Sequence, residues 1–172
     1  MPLELRWIFE RAPPSHVLEW FLKCDSLGGK VVEQTNEDAY LFIPEASYLS
    51  VKIRDKELVI KWKRSSFPLE LKSKGLDGTV EEWFSWKWTD NKAAETIGKF
   101  VETDNTSPWF EVRKERRKYN FQFRGHDLIP VGGKDQYDCS LELVTLTPNR
   151  ACSLKWWSIG VDLFSEKKIE EQ

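Results

Sequence analysis

The sequence predicts a mainly β (α+β) fold, an eight-stranded antiparallel closed barrel with one or two short covering helices. Three observations lead there. Nine Trp, ten Phe and four Tyr stand against a single Met, and large rigid rings suit a pleated, half-buried surface. Apolar and polar residues alternate over much of the chain with the period of two that strands impose. About eight such segments recur, and closing eight strands removes the unpaired edges of an open sheet. A chain of 172 residues suits one domain, 1–172, with residues 165–172 as a charged tail.

The elements follow in order. Met1 to Arg11 reads as a strand, with Leu3, Leu5, Trp7 and Phe9 on one face and Glu4, Arg6, Ile8 and Glu10 on the other. Pro13 and Pro14 end it. Ser15 is the expected N-cap of an amphipathic helix built on Val17, Leu18, Phe21, Leu22 and Cys24 and stopped at Gly28-Gly29. From Val31 the period becomes two: AYLFIP is a strand, and YLSVKIRDKELVIKWKR is a hairpin turning near Asp55-Lys56-Glu57. Pro68 to Gly78 reads as a polar loop and TVEEWFSWKW as a strand. Ala93, Ala94, Ile97 and Phe100 predict a second helix, and Asn105 to Pro108 a turn. WFEVRKERRKYNFQFR is a long strand with room for a bend. Gly125 to Asp138, broken by Pro130 and Gly132-Gly133, reads as loop. DCSLELVTL and CSLKWWSIGVDLF are the last strands, turning at Pro148-Asn149-Arg150.

Composition narrows the function. With 26 Lys+Arg against 28 Asp+Glu, the net charge of −2 argues against bulk attraction to duplex nucleic acid. No apolar run approaches the ~18 residues of a membrane helix, so no membrane partner is expected. Cys24, Cys139 and Cys152 lack CxxC spacing and only two His accompany them, which disfavours a zinc-thiolate site and a disulfide framework alike. Glu4 and Arg6 interrupt the N-terminal stretch where a secretion signal would be apolar, and the expected location is cytoplasmic. His16 and His126 have no nucleophile motif beside them, which leaves a hydrolase triad unsupported.

The chemistry lies in how charge is placed. Ser50, Lys52 and Arg54 form the polar face of one strand and Lys61 and Lys63 that of the next, with Val51, Ile53, Ile60 and Trp62 on the opposite faces. Lys114, Arg116, Lys118 and Arg124 share a face of the long strand. A sheet wet on one side accounts for such rows. So does a barrel turned inside out, its cations lining an enclosed channel where a polyanion neutralises them.

The charged first strand, the short helix, the stretch EQTNEDAYLFIPEASYLSVKIRDKELVIKWKR and the later VRKERRKY together resemble the CYTH superfamily of triphosphate tunnel metalloenzymes. Lys52 and Arg54 match the paired cations of that family's hairpin, Lys61 its closing lysine, and Lys114 and Arg116 its downstream KxR pair. The resemblance implies an eight-stranded tunnel holding a triphosphate or another phosphorylated small molecule. Its ligand-binding cations would be Arg6, Lys52, Arg54, Lys61, Lys63, Lys114, Arg116 and Lys118. Metal-dependent triphosphate hydrolysis is the implied activity, with Mg²⁺ or Mn²⁺ bridging phosphate to carboxylates. The implied catalytic residues are Glu4 and Glu142, and the implied metal ligands are Glu4, Glu82 and Glu142. Glu81 competes with Glu82, because the inward face of that aromatic strand is ambiguous.

The sequence also departs from the family. The ExExK signature falls on Glu4, Arg6 and Ile8, and the closing strand, LKWWSIGV, offers no acid where the family has a Glu-x-Glu pair. Arginine in place of glutamate repels a metal and attracts phosphate, so these departures favour gripping a phosphorylated ligand over competent hydrolysis. Two alternatives remain. One is a non-enzymatic calycin-like barrel for an apolar or amphipathic molecule, which requires Leu5, Trp7, Val51, Ile53 and Trp62 to point inward and the lysines outward. The other is a protein-interaction module.

Overall fold

The computed structural model describes residues 2–71, 76–89, 108–132, 136–149 and 155–164. β1 (Pro2–Phe9) leads into α1 (Ser15–Leu22) and a 3₁₀ segment, Lys23–Leu27. There follow β2 (Val32–Leu41), β3 (Leu49–Arg54), β4 (Glu57–Leu71), β5 (Leu76–Trp88), β6 (Trp109–Arg124), β7 (Asp127–Val131), β8 (Cys139–Pro148) and β9 (Trp156–Phe164). The strands pair in the order β2-β3-β4-β5-β1-β9-β8-β6, and β2 pairs with β6 to close a ring of eight. All the pairings are antiparallel. β7 lies outside the ring, on the part of β6 beyond the reach of β2. The closed eight-stranded barrel expected from the alternation is what the chain forms.

Local chemistry explains the boundaries. Asp55 and Lys56, at φ 49° and 65°, are both left-handed, the two-residue turn whose twist suits a hairpin. Pro14 is the residue that caps α1: it is extended, and its carbonyl accepts the N–H groups of Val17 and Leu18 at 2.9 and 3.2 Å. The expected cap, Ser15, is instead the first helical residue and makes no side-chain cap. Gly28, at φ 83°, closes the 3₁₀ segment in the left-handed conformation that glycine adopts without strain.

Two expected loops contain strand, and the stretch of period two that opens at Val31 begins with one continuous strand. β2 begins at Val32, well before AYLFIP, because Glu33 and Gln34 pair across to Arg117 and Arg116 of β6 at 3.0 and 3.3 Å. The expected loop from Pro68 is largely paired, with Pro68 opposite Thr79. The loop expected over 125–138 contains β7, whose Pro130 is tolerated because β7 is an edge strand. β6 runs unbroken through 16 residues. The expected second helix at 93–100, Cys152 and the charged tail lie outside the described residues.

Most of the grease is outside the ring. α1 lays Phe21, fully buried, against Tyr119 at 5.1 Å between ring centroids, over Phe121, Leu141, Leu143 and Ile159. Trp7, Phe9, Trp157 and Val161 pack around this cluster, and the Tyr119 hydroxyl donates to Asp25 at 2.7 Å. A second cluster joins Leu58 and Trp109 to Val51, Ile53 and Ile60. Trp62 stacks on Phe84 across the outer face of β4 and β5. With the apolar faces turned outward, the alternate residues of the same strands turn in.

Candidate functional site

The inward residues enclose a cavity of about 470 Å³, within the size range of small-molecule sites. Its walls carry seven cations, Arg6, Lys52, Arg54, Lys61, Lys114, Arg116 and Lys118, and four carboxylates, Glu4, Glu81, Glu142 and Asp162. Charge of this density inside a barrel needs internal partners, and the strand register supplies them in two poles.

The first pole is cationic and centres on Asp38. On β2, Asp38 stands opposite Arg54 of β3 and Val112 of β6, so both neighbouring strands deliver long side chains to one carboxylate. Arg54 grips it with two nitrogens, at 2.6 and 2.7 Å; Lys52 donates at 2.9 Å; Lys114 lies at 3.3 Å. The Tyr40 hydroxyl donates to the same carboxylate at 3.1 Å, Lys114 bonds to that hydroxyl, and the Lys114 ammonium sits 4.6 Å from the centre of the Tyr40 ring. Asp38 is 1% exposed. Burial works to raise its carboxyl, but hydrogen bonds from Arg54 and Lys52 prevail and hold it well below the usual carboxylate range. One carboxylate cannot compensate three cations. Burial, abetted by the like charges nearby, brings Lys52 down to about 8 and Lys114 to about 7.

The second pole is acidic and centres on Arg6. In one row across the strands, Glu142 of β8, Gly160 of β9 and Arg6 of β1 stand side by side; in the next row stand Asp162, Glu4 and Glu81. Nη2 of Arg6 lies 3.5 Å from Asp162, 3.7 Å from Glu142 and 3.9 Å from Glu4. Lys61 donates to Glu4 at 2.8 Å, and Arg116 approaches Glu142 at 3.4 Å from β6, the strand beside β8. Burial, and then the neighbouring Glu142, push Asp162 up to about 6.

Most of the sequence-predicted site residues meet here. Glu4, Arg6, Lys52, Arg54, Lys61, Lys114, Arg116, Lys118 and Glu142 all line the cavity. Lys63 adjoins it, donating to Glu81 at 2.8 Å, and Lys118 bonds to Tyr137 at 2.7 Å. Glu82 does not face the cavity. The register sets Glu81 beside inward Glu4 and Glu82 beside outward Leu3, and Glu82 bonds to Ser65 at 2.9 Å. The metal ligand expected at Glu82 is therefore misplaced by one residue, the change that exchanges the faces of a strand. Arg124, grouped with the inward cations of β6, is exposed at the β6–β7 hairpin. Trp7, Val51, Ile53 and Trp62 pack on the outside and Lys52 is 8% exposed, the reverse of what a calycin-like cup requires.

Sequence reasoning missed Asp38 and Asp162. β9 was expected to offer no acid over LKWWSIGV; the inward alternation Ser158, Gly160, Asp162 carries one at the very next residue. Asp38 lies in a polar run without apolar alternation, and its neighbour Tyr40 was the visible signal of an inward even-numbered face.

The described residues do not offer a divalent ion a ready site. No group of three or more His, Cys, Asp or Glu assembled for a metal occurs among them, and the Arg6 guanidinium already stands among the three converging carboxylates.

No protein-family model matches the chain, and no curated protein matches it. Among solved structures it is similar to the PH1819 protein from Pyrococcus horikoshii OT3, with 14% identity and a TM-score of 0.43 over 98% of this chain and 80% of that one.

Proposed function

We propose that the barrel interior binds a phosphate-rich small anion, a triphosphate or an organic phosphate, as a divergent CYTH-like tunnel protein. The observation that supports this best is the sharing of Asp38 among Lys52, Arg54 and Lys114. The cluster keeps an excess of positive charge in a sheltered place, where an anion gains more than it would in water. Arg116 and Lys118 continue the row along β6, and guanidinium groups hold phosphate oxygens through paired hydrogen bonds. The reading is of binding rather than hydrolysis, because Arg6 stands where a hydrolytic metal would need free carboxylates.

Thermal denaturation with millimolar tripolyphosphate tests it. A ligand present at about 100 times its Kd stabilises by about 2.7 kcal/mol, a shift that added salt should diminish. Arg116→Ala and Lys52→Ala should each lose most of the shift relative to their own ligand-free melts. No shift in the unsubstituted protein at millimolar tripolyphosphate overturns the reading.

A further inference from the structure

We infer that Arg6 is the built-in cation of the acidic pole, so that this barrel takes its polyanion without a divalent metal. The inference deepens the proposed anion binding by stating what the ligand brings with it: phosphate alone, not a metal–phosphate complex.

Two features place Arg6 there, and a third adds to the charge around it. Its Nη2 lies within 3.5 to 3.9 Å of carboxylates from β1, β8 and β9, oxygen donors of the kind Mg²⁺ or Mn²⁺ takes, here spread around a guanidinium and not gathered at one point. Its guanidinium lies over Gly160, its register partner; a Cβ added there would stand 3.2 Å from Cζ and 3.3 Å from Nη2. A glycine inside a strand leaves room for a close approach, and here the approaching group is Arg6. Lys61 and Arg116 then flank the pole at 2.8 and 3.4 Å from Glu4 and Glu142, adding to the positive charge that an incoming metal would meet.

A guanidinium and a divalent ion are not equivalent. The guanidinium carries one charge on a fixed plane of N–H donors, which suits it to contact phosphate directly while it holds the acids apart. It cannot bridge a phosphate to the carboxylates as a metal does. The three acids therefore hold Arg6 in position, and Arg6 presents positive charge to the cavity.

The test reads metal and anion separately on the full chain. Mn²⁺ is titrated into the unsubstituted protein, into Arg6→Gln and into Arg6→Ala without phosphate, following the electron paramagnetic resonance signal of free Mn²⁺. The unsubstituted protein should leave the signal unchanged. Arg6→Gln or Arg6→Ala, whichever keeps the native circular dichroism spectrum, should take up Mn²⁺ at least about tenfold more tightly, equivalent to about 1.4 kcal/mol. Mn²⁺ uptake by the unsubstituted protein, or uptake that is the same with and without Arg6, overturns the inference whether or not phosphate binds. The second arm uses only the unsubstituted protein: tripolyphosphate is titrated calorimetrically with EDTA and with Mg²⁺. Equal affinity supports metal-free binding, and affinity seen only with Mg²⁺ overturns it. Silence in both titrations counts against the proposed anion binding, while the Mn²⁺ arm still decides the role of Arg6.

Discussion

Replacing Asp38 by Asn removes one charge and almost no volume from the centre of the cationic pole. Arg54 and Lys52 contact the carboxylate at 2.6 to 2.9 Å, and Lys114 at 3.3 Å. At an effective dielectric of ~20, unit charges about 3 Å apart interact by about 5 kcal/mol. The three cations repel one another and all four groups are desolvated, so the sum of the pairs overstates the loss. Leaving buried charge without its partner costs about 3–5 kcal/mol. The pH dependence is the sharper part. Asp38 is held below its ordinary 3.8, so its contribution is present at all pH values above that and is lost only in strong acid. Lys52 and Lys114 are lowered to about 8 and about 7, so the unfolded chain holds more protons than the native one from there up to about 10.5, and stability rises with pH over that window. Once those lysines are neutral, Asp38 has less charge to compensate. Urea unfolding of Asp38→Asn should therefore show its full loss near pH 6 and a loss smaller by about 1.4 kcal/mol or more near pH 9.5. A loss below about 1 kcal/mol near pH 6, or one that does not change with pH, refutes the three-cation clamp.

Three further outcomes are expected. In pulse labelling with acetic anhydride read by mass spectrometry, Lys56 at the exposed β3–β4 turn should react well before Lys52, which is 8% exposed; equal rates contradict an inward Lys52. Asp162 is raised to about 6, so the native state holds its proton more firmly and that advantage is lost as pH rises through about 6. Asp162→Asn should accordingly gain thermal stability near pH 8 relative to near pH 4, and a variant less stable near pH 8 contradicts the crowded acidic pole. Phe21→Ala empties the fully buried position between α1 and Tyr119 and should cost about 3–5 kcal/mol in urea unfolding; a loss under about 1 kcal/mol contradicts the packing of α1 on the barrel wall.

The rows Ser50–Lys52–Arg54 and Lys114–Arg116–Lys118 were legible because a strand places alternate residues on one face, and a whole face of cations is uncommon. Which way that face turned was not legible from the rows alone, since a wet outer surface shows the same alternation. The apolar partners settle it in three dimensions: Val51 and Ile53 join Leu58 and Trp109 outside, leaving Lys52 and Arg54 the interior. The period of two runs from Val31, but β2 reads as strand only at AYLFIP, because its inward residues Gln34, Asn36 and Asp38 are polar and no apolar residue marks Glu33–Asp38. The Glu81/Glu82 ambiguity has a local cause. The register of β4 against β5 slips between Lys63 and Ser65, so alternation counted through β4 does not carry across to the acids of β5. Pro130 concealed β7 because a proline breaks a central strand but not an edge one.

Under the proposed function, the inward cations form an interior that holds phosphate. ³¹P resonance of tripolyphosphate titrated with the protein in EDTA tests it most directly, because the ligand itself reports. Broadened or shifted lines that return to their free positions in an Arg54→Ala, Arg116→Ala double variant are the expected result. Lines that stay sharp and unmoved at millimolar protein would contradict it.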